Sequence, residues 1–157
     1  MTDEVIAPEK KKRLTFMERQ AARMARYEVE IAARKAAERA QWIAEMDAMG
    51  DRFGVCYFIG WAGDLVKIGY SSALAQRFGT ICRDTPFKIG LMATAAGGRD
   101  RERHYHRRFE EHRAFGEWFE RCPEIEAEIE RLAATAFHAE VCAARGFVPA
   151  YPQGRAA

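Results

Sequence analysis

The chain has 157 residues, with 25 Lys and Arg set against 23 Asp and Glu for a formal net charge of +2. That length allows one ordinary domain with a real core plus an arm, and no run of eighteen apolar residues offers a membrane span. The near-neutral balance excludes a molecule that is cationic all over, so any affinity for nucleic acid has to come from local clustering of charge.

Residues 1–14 are polar, contain Pro8 and carry the run Lys10-Lys-Lys-Arg13. They predict a disordered basic arm, available for phosphates or serving solubility, and no apolar segment follows that would make it a secretory signal. Thr15 followed by Glu18 fits a capping box. Neither Gly nor Pro occurs from there to Met49, and Gly50 stands where a C-terminal cap belongs, so residues 15–50 predict one long helix. At 100° per residue, Met17, Met24, Ile31, Trp42, Met46 and Met49 share an apolar stripe. Arg19, Arg23, Arg26 and Arg34 gather on another, interrupted by Glu30. The first stripe can pack on a domain or form a homodimer; the second can lie along a phosphate backbone or simply be solvated.

Residues 51–121 predict a compact domain. Val55-Cys-Tyr-Phe-Ile59 and Leu65-Val-Lys-Ile68 read as the strands of a hairpin turning through Gly60–Asp64, and Gly69 leaves room for a backbone or ligand to come close. Tyr70-Ser71-Ser72 offers a helix start, with a short helix over 73–82 that carries Arg77. Asp84-Thr85-Pro86 breaks the chain before a third strand, 87–93, and Ala96-Gly-Gly98 is a flexible connection. In the helix 99–113, Glu102 and His106 are four apart on one face with Phe109 a turn beyond, while Tyr105 and Phe109 point inward. Arginines 99, 101, 103, 107, 108 and 113 outnumber the acids there. A carboxylate in a positive field suits a phosphodiester substrate together with a cation; a plain Glu–His surface pair is the alternative. The aromatics of Gly116-Glu117-Trp118-Phe119 are expected to seal the sheet, with Glu117 at most orienting a neighbour. Pro123 starts a helix spanning 122–146, with Ile125, Ile129, Leu132, Ala136 and Phe137 on its apolar side and Gly146 as its stop. A mobile tail, 147–157, follows. Cys56, Cys82, Cys122 and Cys142 stand singly without a C-x-x-C pair, which points away from zinc or disulfides and towards a reducing, cytoplasmic setting.

Cys56-Tyr57-Phe58 in the first strand and Lys67-Ile68-Gly69 at the end of the second resemble the paired signature of the GIY-YIG nuclease superfamily, closest to its branch named after an open reading frame of bacteriophage T-five. Arg77, the E-x-x-x-H-x-x-F of Glu102, His106 and Phe109, and Gly116-Glu-Trp-Phe119 extend the resemblance over roughly 53–121. It implies an α/β (α+β) domain, a small three-stranded antiparallel sheet flanked by helices, acting as a metal-dependent DNA endonuclease with a single Mg²⁺ or Mn²⁺. By that resemblance Glu102 holds the metal, Arg77 neutralises the phosphoryl oxygens, and Tyr57 deprotonates the attacking water with His106 as the rival base. Lys67 replaces the second motif tyrosine and can offer only positive charge, with Tyr70, just beyond, as the alternative phenol. Arg19, Arg23, Arg26, Arg103 and Arg107 are the expected DNA contacts. Two other outcomes stay open, a DNA-binding module that has lost the reaction and a helical interaction protein assembled through its first helix.

Overall fold

The structure, a computed structural model, describes residues 14–60 and 63–148; the basic run, residues 61–62 of the expected turn and the end of the expected tail lie outside the described residues. The chain divides into two units, Met1–Trp42 and Ile43–Ala157. Helix α1, Phe16–Ala48, crosses that division. It begins with the reciprocal cap that its sequence predicts: Thr15 N–H donates to the Glu18 carboxylate at 2.6 Å and Glu18 N–H donates to Thr15 Oγ1 at 3.2 Å. In the first unit the helix is exposed along nearly its whole length, Met17 and Met24 included, as are Arg19, Arg23 and Arg26. No helix among the described residues is long and apolar enough to cross a membrane.

The second unit contains β1 (Val55–Gly60), β2 (Leu65–Ser71), α2 (Leu74–Asp84), β3 (Gly90–Ala95), α3 (Gly98–Arg108), β4 (Arg113–Phe115), β5 (Trp118–Glu120), α4 (Pro123–Ala133) and α5 (Ala136–Arg145). All strand pairs are antiparallel, in the order β3-β1-β2-β5-β4. This corrects the expected three-stranded sheet to five strands. The segment read as a continuous charged helix to Arg113 ends at Arg108. A 3₁₀ turn follows, Glu110–His112, and then a tight β4–β5 hairpin about Gly116, whose φ is 53°. Each of its strands is three residues long, too short for any period to register. Its second strand pairs with Leu65–Lys67 of β2, so the box Trp118-Phe119 is part of the sheet and does not merely cover it.

The helix expected over 122–146 is likewise two helices. Thr135 breaks it: the Thr135 hydroxyl accepts from His138 N–H at 3.2 Å, an N-cap that starts α5 afresh. Strand alternation then sorts the core into two layers. Cys56, Phe58, Val66 and Ile68 pack against Tyr105, Phe109, Ile125 and Ile129 of the α3 and α4 side. Val55, Tyr57 and Ile59 pack against Leu74, Ile81, Val141 and Cys142 of the α2 and α5 side.

One charged network lies inside the first layer. Arg101, 1% exposed, donates to Tyr105 Oη at 3.1 Å and to Asp47 at 3.2 Å. The Tyr105 hydroxyl donates to Glu128 at 2.7 Å, and Arg131 and Arg108 reach the same carboxylate at 2.7 Å and 3.4 Å. Burial alone would raise the Glu128 pKa, but the hydrogen bonds of Arg131 and Tyr105 and the charges of Arg131 and Arg108 hold it at about 2. The helix that carries this network starts at Gly98, which has φ 51°; a Cβ there would sit 2.2 Å from the Phe53 carbonyl oxygen, so only glycine lets the loop before β1 close over it.

Candidate functional site at the free edge of the second strand

The site arises because β2 is longer than the strand beside it. Leu65, Val66 and Lys67 pair with Glu120, Phe119 and Trp118, and Ile68 N–H donates to the Glu117 carbonyl at 3.0 Å. There β5 stops. In an antiparallel ladder a residue's N–H and C=O face the same neighbour, so the Ile68 carbonyl points where no strand remains. His106 takes its place: Nε2–H donates to the Ile68 oxygen at 2.8 Å, which assigns the ring proton to that nitrogen. The ring also rests 5.1 Å from that of Phe119. His106 thus pins α3 against the point at which the ladder ends.

Beyond Ile68, the outer edge of β2 opens into a cleft of about 250 Å³ lined by Tyr57, Tyr70, Ser71, Ser72, Arg77, Glu102 and Glu117. Tyr57 enters from the α2 side. Its cross-strand partner is Gly69, and a Cβ on Gly69 would lie 2.5 Å from the Tyr57 hydroxyl. The close approach that Gly69 permits is therefore made by the protein's own phenol, laid across β2. Arg77, in the first turns of α2, brings its Nε–H to 3.5 Å from Tyr57 Oη. Glu102 comes from the opposite side, on the face of α3 that runs along β2.

Glu102 makes no hydrogen bond or ion pair among the described residues. Burial is the main cause of its raised pKa and Glu117 adds to it, while His106, Arg99 and Lys67 act in the other direction. The Tyr57 hydroxyl is also pushed up, by burial first, with Arg77 opposing through its hydrogen bond and its charge. Two acidic groups are thus held away from their charged forms beside a guanidinium, a pattern that concentrates at functional sites.

Of the residues singled out from the sequence, Tyr57, Arg77 and Glu102 meet in this cleft. Lys67 does not line it. Its ammonium lies 2.5 Å from Glu117 Oε2 and 5.6 Å from the Trp118 ring, so its charge is already matched. His106 sits behind the cleft, bound to β2. Arg103 and Arg107 are exposed on α3, Arg103 within 3.7 Å of Asp100. Arg19, Arg23 and Arg26 belong to the other unit. From the sequence, Tyr70 is expected only as a spatial substitute for the missing second motif phenol, Ser71 and Ser72 only as a helix start, and Glu117 only as an orienting group. The available signal for Tyr70 was its place next to Gly69, which by alternation turns it towards α3.

Compared with family models, with curated proteins and with solved structures, the chain matches none.

The donors present suit a hard divalent cation held sparingly. Among the described residues no group of three or more His, Cys, Asp or Glu is gathered as a metal cage. A half-buried carboxylate with no partner, next to hydroxyl oxygens, fits an ion that keeps most of its own waters, as Mg²⁺ does.

Proposed function

We propose that this cleft hydrolyses phosphodiester bonds of DNA as a divalent-metal-dependent endonuclease. The observation that carries the reading is the meeting of Tyr57, Arg77 and Glu102, distant in the chain, in one cleft at the free edge of β2. The guanidinium of Arg77 binds the non-bridging oxygens of the phosphate and neutralises charge gathering on them. Tyr57 Oη takes the proton of the attacking water from its phenolate form, after giving up its own proton to solvent. Burial opposes that form, and the Arg77 guanidinium, together with the charge of a bound cation, favours it. Glu102 is the residue to hold a single Mg²⁺ or Mn²⁺, which when bound supplies Lewis-acid polarisation of the phosphate. Lys67 keeps the Glu117 carboxylate neutralised, so that the cleft is not left with two free negative charges facing a polyanion.

A second reading, a DNA-binding module without turnover, draws on a separate observation. The residue standing at the second motif tyrosine is Lys67, and its ion pair with Glu117 leaves Tyr57 as the only motif phenol. Incubation of supercoiled plasmid with Mg²⁺ or Mn²⁺ separates the two. Nicking or linearisation that disappears in Glu102→Ala and in Arg77→Ala supports the nuclease. Salt-dependent duplex binding by a wild type that never cuts supports the module. A wild type that neither cuts nor binds DNA overturns both.

A further inference from the structure

We infer that the cleft takes a phosphodiester next to an unpaired nucleotide, whose base stacks on Tyr70. The inference rests on the nuclease or DNA-binding reading of the cleft and names its substrate class: single-stranded, flapped or bulged DNA in preference to perfect duplex. Tyr70 lies on β2 beyond the end of β5, on the α3 side of the cleft that Arg77 and Glu102 also line. Its ring is half-exposed, and its hydroxyl makes no hydrogen bond among the described residues. The Arg99 guanidinium, one turn before Glu102 on α3, sits 5.1 Å from the ring centroid. The phenol ring is thus braced by a cation while still lining a cavity, the arrangement that suits a stacking platform.

The geometry of DNA decides what can use such a platform. A phosphate held between Arg77 and Glu102 brings its neighbouring nucleotide onto the Tyr70 side of the cleft. In a B-form duplex that nucleotide offers sugar and phosphate there, because its base faces are covered by the pairs above and below. An aromatic ring gains stacking only from a base already out of the stack, or one pulled out at the cost of unpairing. Ser72, exposed in the same cleft, adds a hydroxyl for the edge of such a base. The positive charge of Arg99 reinforces stacking on the ring and is indifferent to which base arrives.

The test is binding measured in EDTA, where no cleavage intervenes. Two oligonucleotides of equal length are compared by fluorescence anisotropy, a perfect duplex and the same duplex with one unpaired 2-aminopurine in a bulge or short flap. The wild type should bind the second about five- to a hundredfold more tightly and alter its 2-aminopurine fluorescence on binding. Tyr70→Ala should lose both the preference and the fluorescence change. Tyr70→Phe should keep both, since the ring and not the hydroxyl makes the contact, and it also controls for misfolding of the alanine variant. Equal wild-type affinity for the two DNAs, or a preference that survives Tyr70→Ala, overturns the inference and leaves the reading of the cleft standing. Failure to bind either DNA overturns both together.

Discussion

Helix α3 serves two clusters built from the same three side-chain types, Glu, Tyr and Arg, and the two differ in how completely each group is answered. In the interior, Glu128 receives Tyr105, Arg131 and Arg108, and its carboxyl is held down at about 2. At the cleft, Glu102 has no bonded partner and its carboxyl is pushed up, while Tyr57 has one long approach from Arg77. A satisfied network fixes a fold, whereas an unsatisfied one leaves binding capacity for something that arrives from outside. The contrast teaches where to look for chemistry here: at the glutamate that the protein has not paired.

Removal of each carboxylate breaks the comparison most directly. Glu128→Ala takes the acceptor from the buried Tyr105 hydroxyl and the carboxylate from Arg131, and should cost about 3–5 kcal/mol, read as a large drop in the midpoint of thermal or urea unfolding. Glu102→Ala should leave that midpoint within about 0.5 kcal/mol, or raise it, while abolishing plasmid cleavage. If both variants lose stability alike, the distinction between the clusters is gone.

The tyrosines give the next largest difference. Tyr105→Phe removes a donor from Glu128 and should destabilise by about 1–3 kcal/mol; Tyr57→Phe should be nearly neutral for folding yet remove cleavage. Gly69→Ala sharpens this further, since the added methyl meets the Tyr57 hydroxyl. It should depress cleavage at least tenfold with duplex binding in EDTA kept within about threefold, an outcome checked by parallel nicking and anisotropy measurements.

Acid titration probes the interior cluster most strongly. Glu128 has a folded pKa of about 2 against an ordinary 4.5, so its stabilising contribution is complete above pH 4.5 and is lost as pH falls towards 2. Unfolding midpoints followed from pH 7 to pH 3 should decline at the acid end, and Glu128→Gln should flatten that part of the decline. The smallest expected effect is on the helix surface: Arg103→Ala or Arg107→Ala should lower the salt slope of DNA binding by about one each, without altering the preference among DNAs.

Much of this architecture is legible in the residues. The β1–β2 hairpin, α2, the inward Tyr105 and Phe109, and the Thr15–Glu18 cap follow from period and capping chemistry. The third strand was placed a few residues early, at 87–93, because Phe87 looks like a strand residue, yet it is exposed and β3 begins at Gly90. The β4–β5 hairpin escaped because three-residue strands carry no alternation, and Arg113 belonged in sequence to a helical charge run. Thr135 escaped because Ala133, Ala134 and Ala136 around it favour helix, so a cap inside them looks like continuation. Within the cleft, Glu102 stands out as a carboxylate in an arginine-rich helix, while Tyr57 and Arg77 are legible only through the resemblance. Tyr70 and Glu117 depend on where β5 ends, a tertiary event that no local pattern encodes. The part taken by His106, as partner of an abandoned carbonyl, depends on the same event.

The seat of Tyr57 over Gly69 has one last consequence. A hydroxyl resting against bare backbone, with its ring packed between Leu74 and neighbouring strand residues, has little freedom to swing aside before a guest arrives. Its aim is set during folding, so ligand entry need spend almost no rotamer entropy on it. The vacancy at position 69 thereby acts as a machinist's stop, fixing the angle of a moving part by what has been cut away.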